Sequence, residues 1–194
     1  MKKFLFIVLI FVFVHTVCAV EIIAMGGAYT VVKKEKLETA TVSLPERIPY
    51  LDCFKTAAKR YNLPVSLLVA IAKIESGLRP YVFNVRGKSY NFDNTDSAFR
   101  FLSKQKSKVD IGIMQVNSHW FKKLGYPLVY GLSPCFNIYL GAYVLRKKIN
   151  RYGYNWFGIA AYHSATPLRN KNYALKAAKI IQALEAKRWF AAEN

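Results

Sequence analysis

The sequence predicts a mainly α-helical domain that carries one small β-hairpin insertion. Three observations predict it. From Pro49 onward, apolar residues recur at helical spacing, punctuated by glycine and proline. One stretch alone is β-rich: in residues 81–93, YVFNV and KSYNFD flank Arg86-Gly87. With 194 residues and 53% apolar content, the chain can bury one sizeable core but is short for two.

The N-terminus stands apart from that domain. MKKFLFIVLIFVFVHTVCAVE has two lysines, an apolar run from Phe4 to Val14, and then small residues. This is the pattern of a secretory signal peptide. The run falls well short of the ~20 residues that cross a bilayer. Val17-Cys18-Ala19 suits a cleavage site, so a signal peptide is expected over residues 1–19. An uncleaved anchor is the competing reading. Residues 20–47 hold Gly26-Gly27, a cluster at Lys33, Lys34 and Lys36, and Thr39-Ala40-Thr41, with no sustained period. They are expected to form a linker or flexible arm ahead of a domain spanning 48–194.

Within that domain, Leu51, Phe54, Ala57, Ala58 and Tyr61 follow the i, i+3, i+4 rule of a first helix. A second starts near Pro64, runs VSLLVAIAKIES and stops at Gly77, with Pro80 beyond. After the hairpin, Asn94 or Thr95 caps a short helix through Leu102, and the basic loop SKQKSK follows. Asp110 to Val116 reads as a tight turn around Gly112. Asn117 then caps a helix carrying Trp120, Phe121 and Leu124, ended by Gly125. Ser133-Pro134 opens a long helix, CFNIYLGAYVLRKKINRYG. Tyr154–Tyr162 and Tyr173–Trp189 are expected to form two more.

The charge bounds the partners. Lys and Arg number 29 against 11 Asp and Glu, a formal net charge of +18. Loss of Lys2 and Lys3 with the signal peptide lowers it to +16. Such a surface favours nucleic acid, acidic lipid or an acidic wall polymer. Export removes the chain from most nucleic acid, and no stable membrane span is expected once the signal is cut. Cleavage also removes Cys18, leaving Cys53 and Cys135. An oxidising compartment permits a bridge between them; two buried free thiols are the alternative. Histidines and cysteines show no metal-ligand spacing, and neither metal nor cofactor is expected.

The chemistry centres on Glu75, the carboxylate in AIAKIESGLRP. Leu68 and Ile71 lie seven and four residues before it and share its helix face. It therefore sits at the C-terminal edge of an apolar stripe. Desolvation disfavours the ionised form there, and the negative end of the helix dipole pushes the same way. A glutamate held protonated near neutral pH can serve as a general acid. A half-exposed helix-end Glu paired with a nearby cation is the plainer alternative. In DIGIMQVN, residues 110–117, Met114 adds a flexible apolar side chain, and Gln115 and Asn117 offer donors and acceptors suited to N-acetyl groups and hydroxyls. AAYHS adds the Tyr162 phenol and the His163 imidazole. Taken singly, the amides read as caps, the tyrosine as core and the histidine as a solvated helix end.

Taken in this order, ES closing an apolar helix, then GIMQxN, then AAYHS resemble the lytic transglycosylase catalytic domain of the goose-type lysozyme-like superfamily. The likeness is greatest to the small exported members associated with type III and type IV secretion and conjugation, and covers residues 49–170. CF near the start and SPC before the long helix fit that subgroup and its cysteine pair. The resemblance implies a lysozyme-like α+β fold. It implies Glu75 as sole catalytic acid, with Ser76 beside it at the site. It puts Met114, Gln115 and Asn117 in the substrate-groove loop, and makes Tyr162 the tyrosine that hydrogen-bonds near the glutamate. His163 stands where many members have asparagine. The step from Glu75 to Gly112 is longer than in the shortest relatives, and the hairpin and short helix are expected to form one wall of the groove.

The resemblance further implies cleavage of the MurNAc–GlcNAc β-1,4 bond of peptidoglycan in the periplasm of a Gram-negative bacterium, leaving 1,6-anhydro-MurNAc ends. Glycan strands would be the substrate and components of a secretion apparatus candidate partners. One glutamate suffices for this chemistry, whereas an ordinary glycosidase uses two acids. Asp93, Asp96 and Asp110 are the only other acids from Glu75 to Asn150. Asp110 reads as a turn former, yet is the best second acid if one exists. The rival readings are a hydrolytic muramidase and a non-catalytic wall-binding assembly factor.

Overall fold

A helix that is apolar all round belongs inside a core, and α2 (Val65–Ser76) is that helix here. Every residue from Ser66 to Ala72 is buried. Pro64 precedes it in an extended conformation, and Gly77 ends it in the left-handed region, its N–H returning to the carbonyls of Ala72 and Lys73. Each fully buried Leu or Ile contributes ~1.5–3 kcal/mol. The computed structural model describes residues 42–187. The expected signal peptide, residues 20–41 of the expected arm and Trp189 lie outside the described residues.

Against α2 pack α1 (Leu51–Tyr61) and α7 (Pro167–Ala186), and α5 (Pro134–Tyr152) and α6 (Trp156–Ala160) pack against these in turn. The chief helix contacts are α1 with α5, α2 with α7, and α6 with both α5 and α7. A disulfide joins Cys53 of α1 to Cys135 of α5, with a Cα–Cα distance of 5.2 Å. The cap signals act where expected. Asn94 accepts from Ser97 N ahead of α3 (Thr95–Ser103), and Asn117 accepts from His119 N ahead of α4 (Ser118–Leu124). Ser133 accepts from Phe136 N at the start of α5.

The fold is mainly α with a small β insertion, as expected, but the β part is larger than one hairpin. Strands β1 (Val82–Val85), β2 (Lys88–Asn91), β3 (Asp110–Ile111) and β4 (Val116–Asn117) form an antiparallel sheet in the order β2-β1-β3-β4. The stretch read as a tight turn is thus a second hairpin, with Ile111 opposite Phe83 and Asp110 opposite Asn84. Phe83 is fully buried against Phe92 and Phe101, which ties the sheet to α3.

Three further boundaries differ. α7 begins at Pro167, six residues before the expected Tyr173, because a proline at the first helical position starts the helix ahead of its apolar period. α6 is confined to five residues, and a 3-10 turn occupies Leu128–Leu132. Residues 42–47 carry no helix or strand, yet Val42 and Leu44 pack against the core rather than standing off as an arm.

Candidate active site

The last turn of α2 carries Glu75 out of the core into a cleft of about 210 Å³ between the sheet and the helices. The Glu75 side chain is 14% exposed. Asp110, Gln115 and Asn117 line the sheet side of the cleft, and Trp120, Tyr162 and His163 the helical side.

Burial dominates the electrostatics of Glu75. It pushes the carboxyl up from an ordinary 4.5 to about 7, against the hydrogen bond from Tyr173 and with the charge of Asp110. Tyr173, buried on α7, donates its hydroxyl to Glu75 Oε1 at 2.8 Å. The ring of His163 stacks on that of Tyr173, centroids 5.0 Å apart and planes within 6°. His163 Nδ1 stands 3.9 Å from Glu75 Oε1. Burial, then Arg169 and Lys176, push the imidazole below its ordinary value, opposed by Asp110. At neutral pH the imidazole is therefore uncharged and the contact is not an ion pair.

The loop opposite Glu75 is held by hydrogen bonds with side chains on α2, α5 and the end of α6, and within the loop itself. Asn137, fully buried on α5, accepts from Met114 N at 2.8 Å through Oδ1 and donates to Ile111 O and Gly131 O through Nδ2. Gly112, at φ 79°, leaves no room for a side chain there, since an added Cβ would lie 2.6 Å from Asn137 Nδ2. Ser76 donates to Ile113 O at 2.7 Å, with Ala72 O at 3.1 Å, and so ties this loop to the end of α2. Tyr162 donates to Met114 O at 2.6 Å. Gln115 takes a left-handed φ of 46°, and its Nε2 donates to Val82 O and Gly112 O.

Glu75, Gln115, Asn117, Tyr162 and His163 therefore meet in one cleft. The Ser76 hydroxyl is buried and spent on backbone. The Met114 side chain is fully buried beneath the loop, against Gly141, and presents no surface to the cleft. The hydroxyl on Glu75 is that of Tyr173; Tyr162 bonds the loop backbone beside it. Asn117 both caps α4 and donates to Asp110 Oδ1 at 2.6 Å through Nδ2. Asp110 is more than a turn former: it pairs in the sheet and lines the cleft, and burial raises its pKa despite Asn117 and His163.

Sequence reasoning missed Tyr173, Asn137 and the cleft position of Trp120. Tyr173 lies 98 positions from Glu75, with no motif joining them. Asn137 did leave a signal, as an amide between Phe136 and Ile138 on a helix whose neighbours are apolar.

A mainly α fold with one buried, protonatable glutamate facing a sheet-borne loop across a cleft defines a lysozyme-like class of protein. Residues 52–184 match the transglycosylase SLT domain family, and the chain belongs to that family. It is 36% identical to protein IpgF of Shigella sonnei over 141 residues, 69% of this chain and 81% of the relative. It is 31% identical to invasion protein IagB of Salmonella typhimurium over 138 residues, 66% and 73% of the two chains. X polypeptide of Escherichia coli is 28% identical over 139 residues, 68% and 70% of the two. Membership implies lytic transglycosylase-like action on peptidoglycan.

Proposed function

We propose that the protein cleaves the MurNAc–GlcNAc bond of peptidoglycan by transglycosylation, with Glu75 as both acid and base. Protonated Glu75 gives its proton to the glycosidic oxygen as the C1–O bond breaks. The carboxylate left behind then removes the proton of the same sugar's C6 hydroxyl, whose oxygen closes on C1. The product is a 1,6-anhydro end, and Glu75 regains its proton without water. The observation that carries this reading is a single carboxyl held near a pKa of about 7 at the edge of the core, bonded by Tyr173. Such a group gives and takes a proton with comparable ease at neutral pH. Tyr173 supports its ionised form by donating to it. Gln115 and Asn117 contact the glycan alongside Trp120, while Ser76, Met114 and Tyr162 set the loop that carries them.

The site of action is the cell wall in the periplasm, which the protein reaches by way of its signal peptide. The resemblance to secretion-associated members, together with the name of the Salmonella relative as an invasion protein, supports a role in opening the wall locally for a secretion apparatus. Asp110 favours one second reading, a hydrolytic muramidase in which it would steer water to C1. Glu75→Gln tests the shared premise. It should abolish turbidity loss of purified sacculi, a decrease of at least ~100-fold, with an unchanged circular dichroism spectrum. A folded Glu75→Gln protein that still clears sacculi contradicts the assignment.

A further inference from the structure

A second pocket, of about 460 Å³, adjoins the Glu75 cleft. The two share Asp110 and Asn117, so a branched ligand can occupy both. The remaining walls come from segments that the reaction at Glu75 leaves unused: the β1–β2 turn, with Asn84, Arg86 and Gly87, and the end of the basic loop, with Ser107 and Lys108.

Two observations mark it as an anion site. The first is its charge. Arg86 and Lys108 are both exposed, and neither pairs with a carboxylate among the described residues. The one carboxylate in the wall, Asp110, already accepts from Asn117. The second is the turn. Val85 pairs with Lys88, which leaves Arg86 and Gly87 at the tip with φ of 52° and 84°. A two-residue turn with both φ positive prefers asparagine, aspartate or glycine at its first position. Asn84 supports the tip by accepting from Gly87 N at 3.0 Å. The chain keeps an arginine where the backbone disfavours one, and strain retained at a pocket wall points to use of the side chain.

We propose that this pocket is a carboxylate subsite in which Arg86 and Lys108 hold the free carboxylate of a peptide stem, carried by the glycan lying in the Glu75 cleft. The inference rests on the peptidoglycan reading given above. A guanidinium gives two parallel donors to one carboxylate, and an ammonium adds a point charge. The subsite reads the charge state of the stem, while the cleft reads the sugar.

The test is calorimetric binding of soluble, uncross-linked glycan–peptide chains to Glu75→Gln protein, which does not consume them. The comparison ligand is the same chains with their carboxylates converted to amides. Salt is held at ~0.15 M, where charges beyond about 8 Å are screened. Three proteins are compared: Glu75→Gln alone, with Arg86→Asn and Lys108→Gln added, and with Lys55→Gln and Lys59→Gln added. Lys55 and Lys59 are exposed on α1 and line neither pocket, so the last removes the same charge elsewhere. Arg86→Asn suits the turn and should leave the melting temperature unchanged or higher.

The expected result is at least about tenfold tighter binding of native over amidated chains, as for one charge-assisted hydrogen bond. Arg86→Asn with Lys108→Gln removes that preference, and Lys55→Gln with Lys59→Gln keeps it. No preference at the start, preference surviving Arg86→Asn with Lys108→Gln, or equal loss in both combinations overturns the subsite. Cleavage by the unsubstituted protein is followed in parallel. Preference without cleavage upholds the subsite and sinks only the catalytic reading.

Discussion

Glu75 sets a conflict between stability and chemistry. Its folded pKa, about 7, lies above the ordinary 4.5 of the unfolded chain. Between those values the folded state binds more protons, so the contribution of this group falls as pH rises through the window, by up to ~3 kcal/mol. Glu75→Gln removes the penalty. Urea unfolding should show the variant more stable than the native protein at pH 8 and equal to it near pH 4. With Glu75 as the proposed general acid, activity would follow the protonated form, and kcat/KM should decline above about pH 7, roughly tenfold per unit. The Tyr173 hydroxyl favours the ionised carboxyl, hence Tyr173→Phe should move that decline to higher pH. A pH–rate profile unmoved by Tyr173→Phe would show that the 2.8 Å bond does not act on the acid.

At the scale of elements, the cleft depends on one buried amide. Asn137 satisfies Met114 N, Ile111 O and Gly131 O together. Asn137→Ala strips three buried groups of that partner and should lower stability by at least ~2 kcal/mol. Because the loop carries Gln115 and Asn117, kcat/KM should fall even where denaturant titration shows the variant folded. The helices were legible where glycine, proline or a capping side chain marks their ends, as at Gly77, Asn94 and Pro134. β3 and β4 were not, because two residues each leave no alternation to read. They form because Phe83 and Asn84 of β1 give them an edge to pair with. At the candidate site, the burial of Glu75 was legible from its apolar helix face. The roles of Ser76, Met114 and Tyr162 were not, since a motif shows which residues gather but not which way each side chain turns. Tyr173 comes from α7, whose start the local pattern misplaced, and only the contact of α2 with α7 brings it to Glu75.

Over the whole molecule, the disulfide of Cys53 and Cys135 closes an 82-residue span holding α2, the sheet and the cleft loop. In the chain-entropy account, closing that span stabilises the fold by ~4.5 kcal/mol. Replacing both cysteines by serine should lower the unfolding free energy by several kcal/mol while the folded fraction keeps its kcat/KM. An equal denaturation midpoint with and without the bridge would show that α1 and α5 hold together without it. The central claim concerns the reaction itself, and the most direct measurement is mass spectrometry of sacculi digested with the purified protein. Transglycosylation by Glu75 predicts muropeptides ending in 1,6-anhydro-MurNAc, each lighter by one water than its hydrolytic counterpart and carrying no ¹⁸O when the digest is run in labelled water. Reducing MurNAc ends bearing ¹⁸O would contradict it and assign the second step to water, with Asp110 as the group beside it.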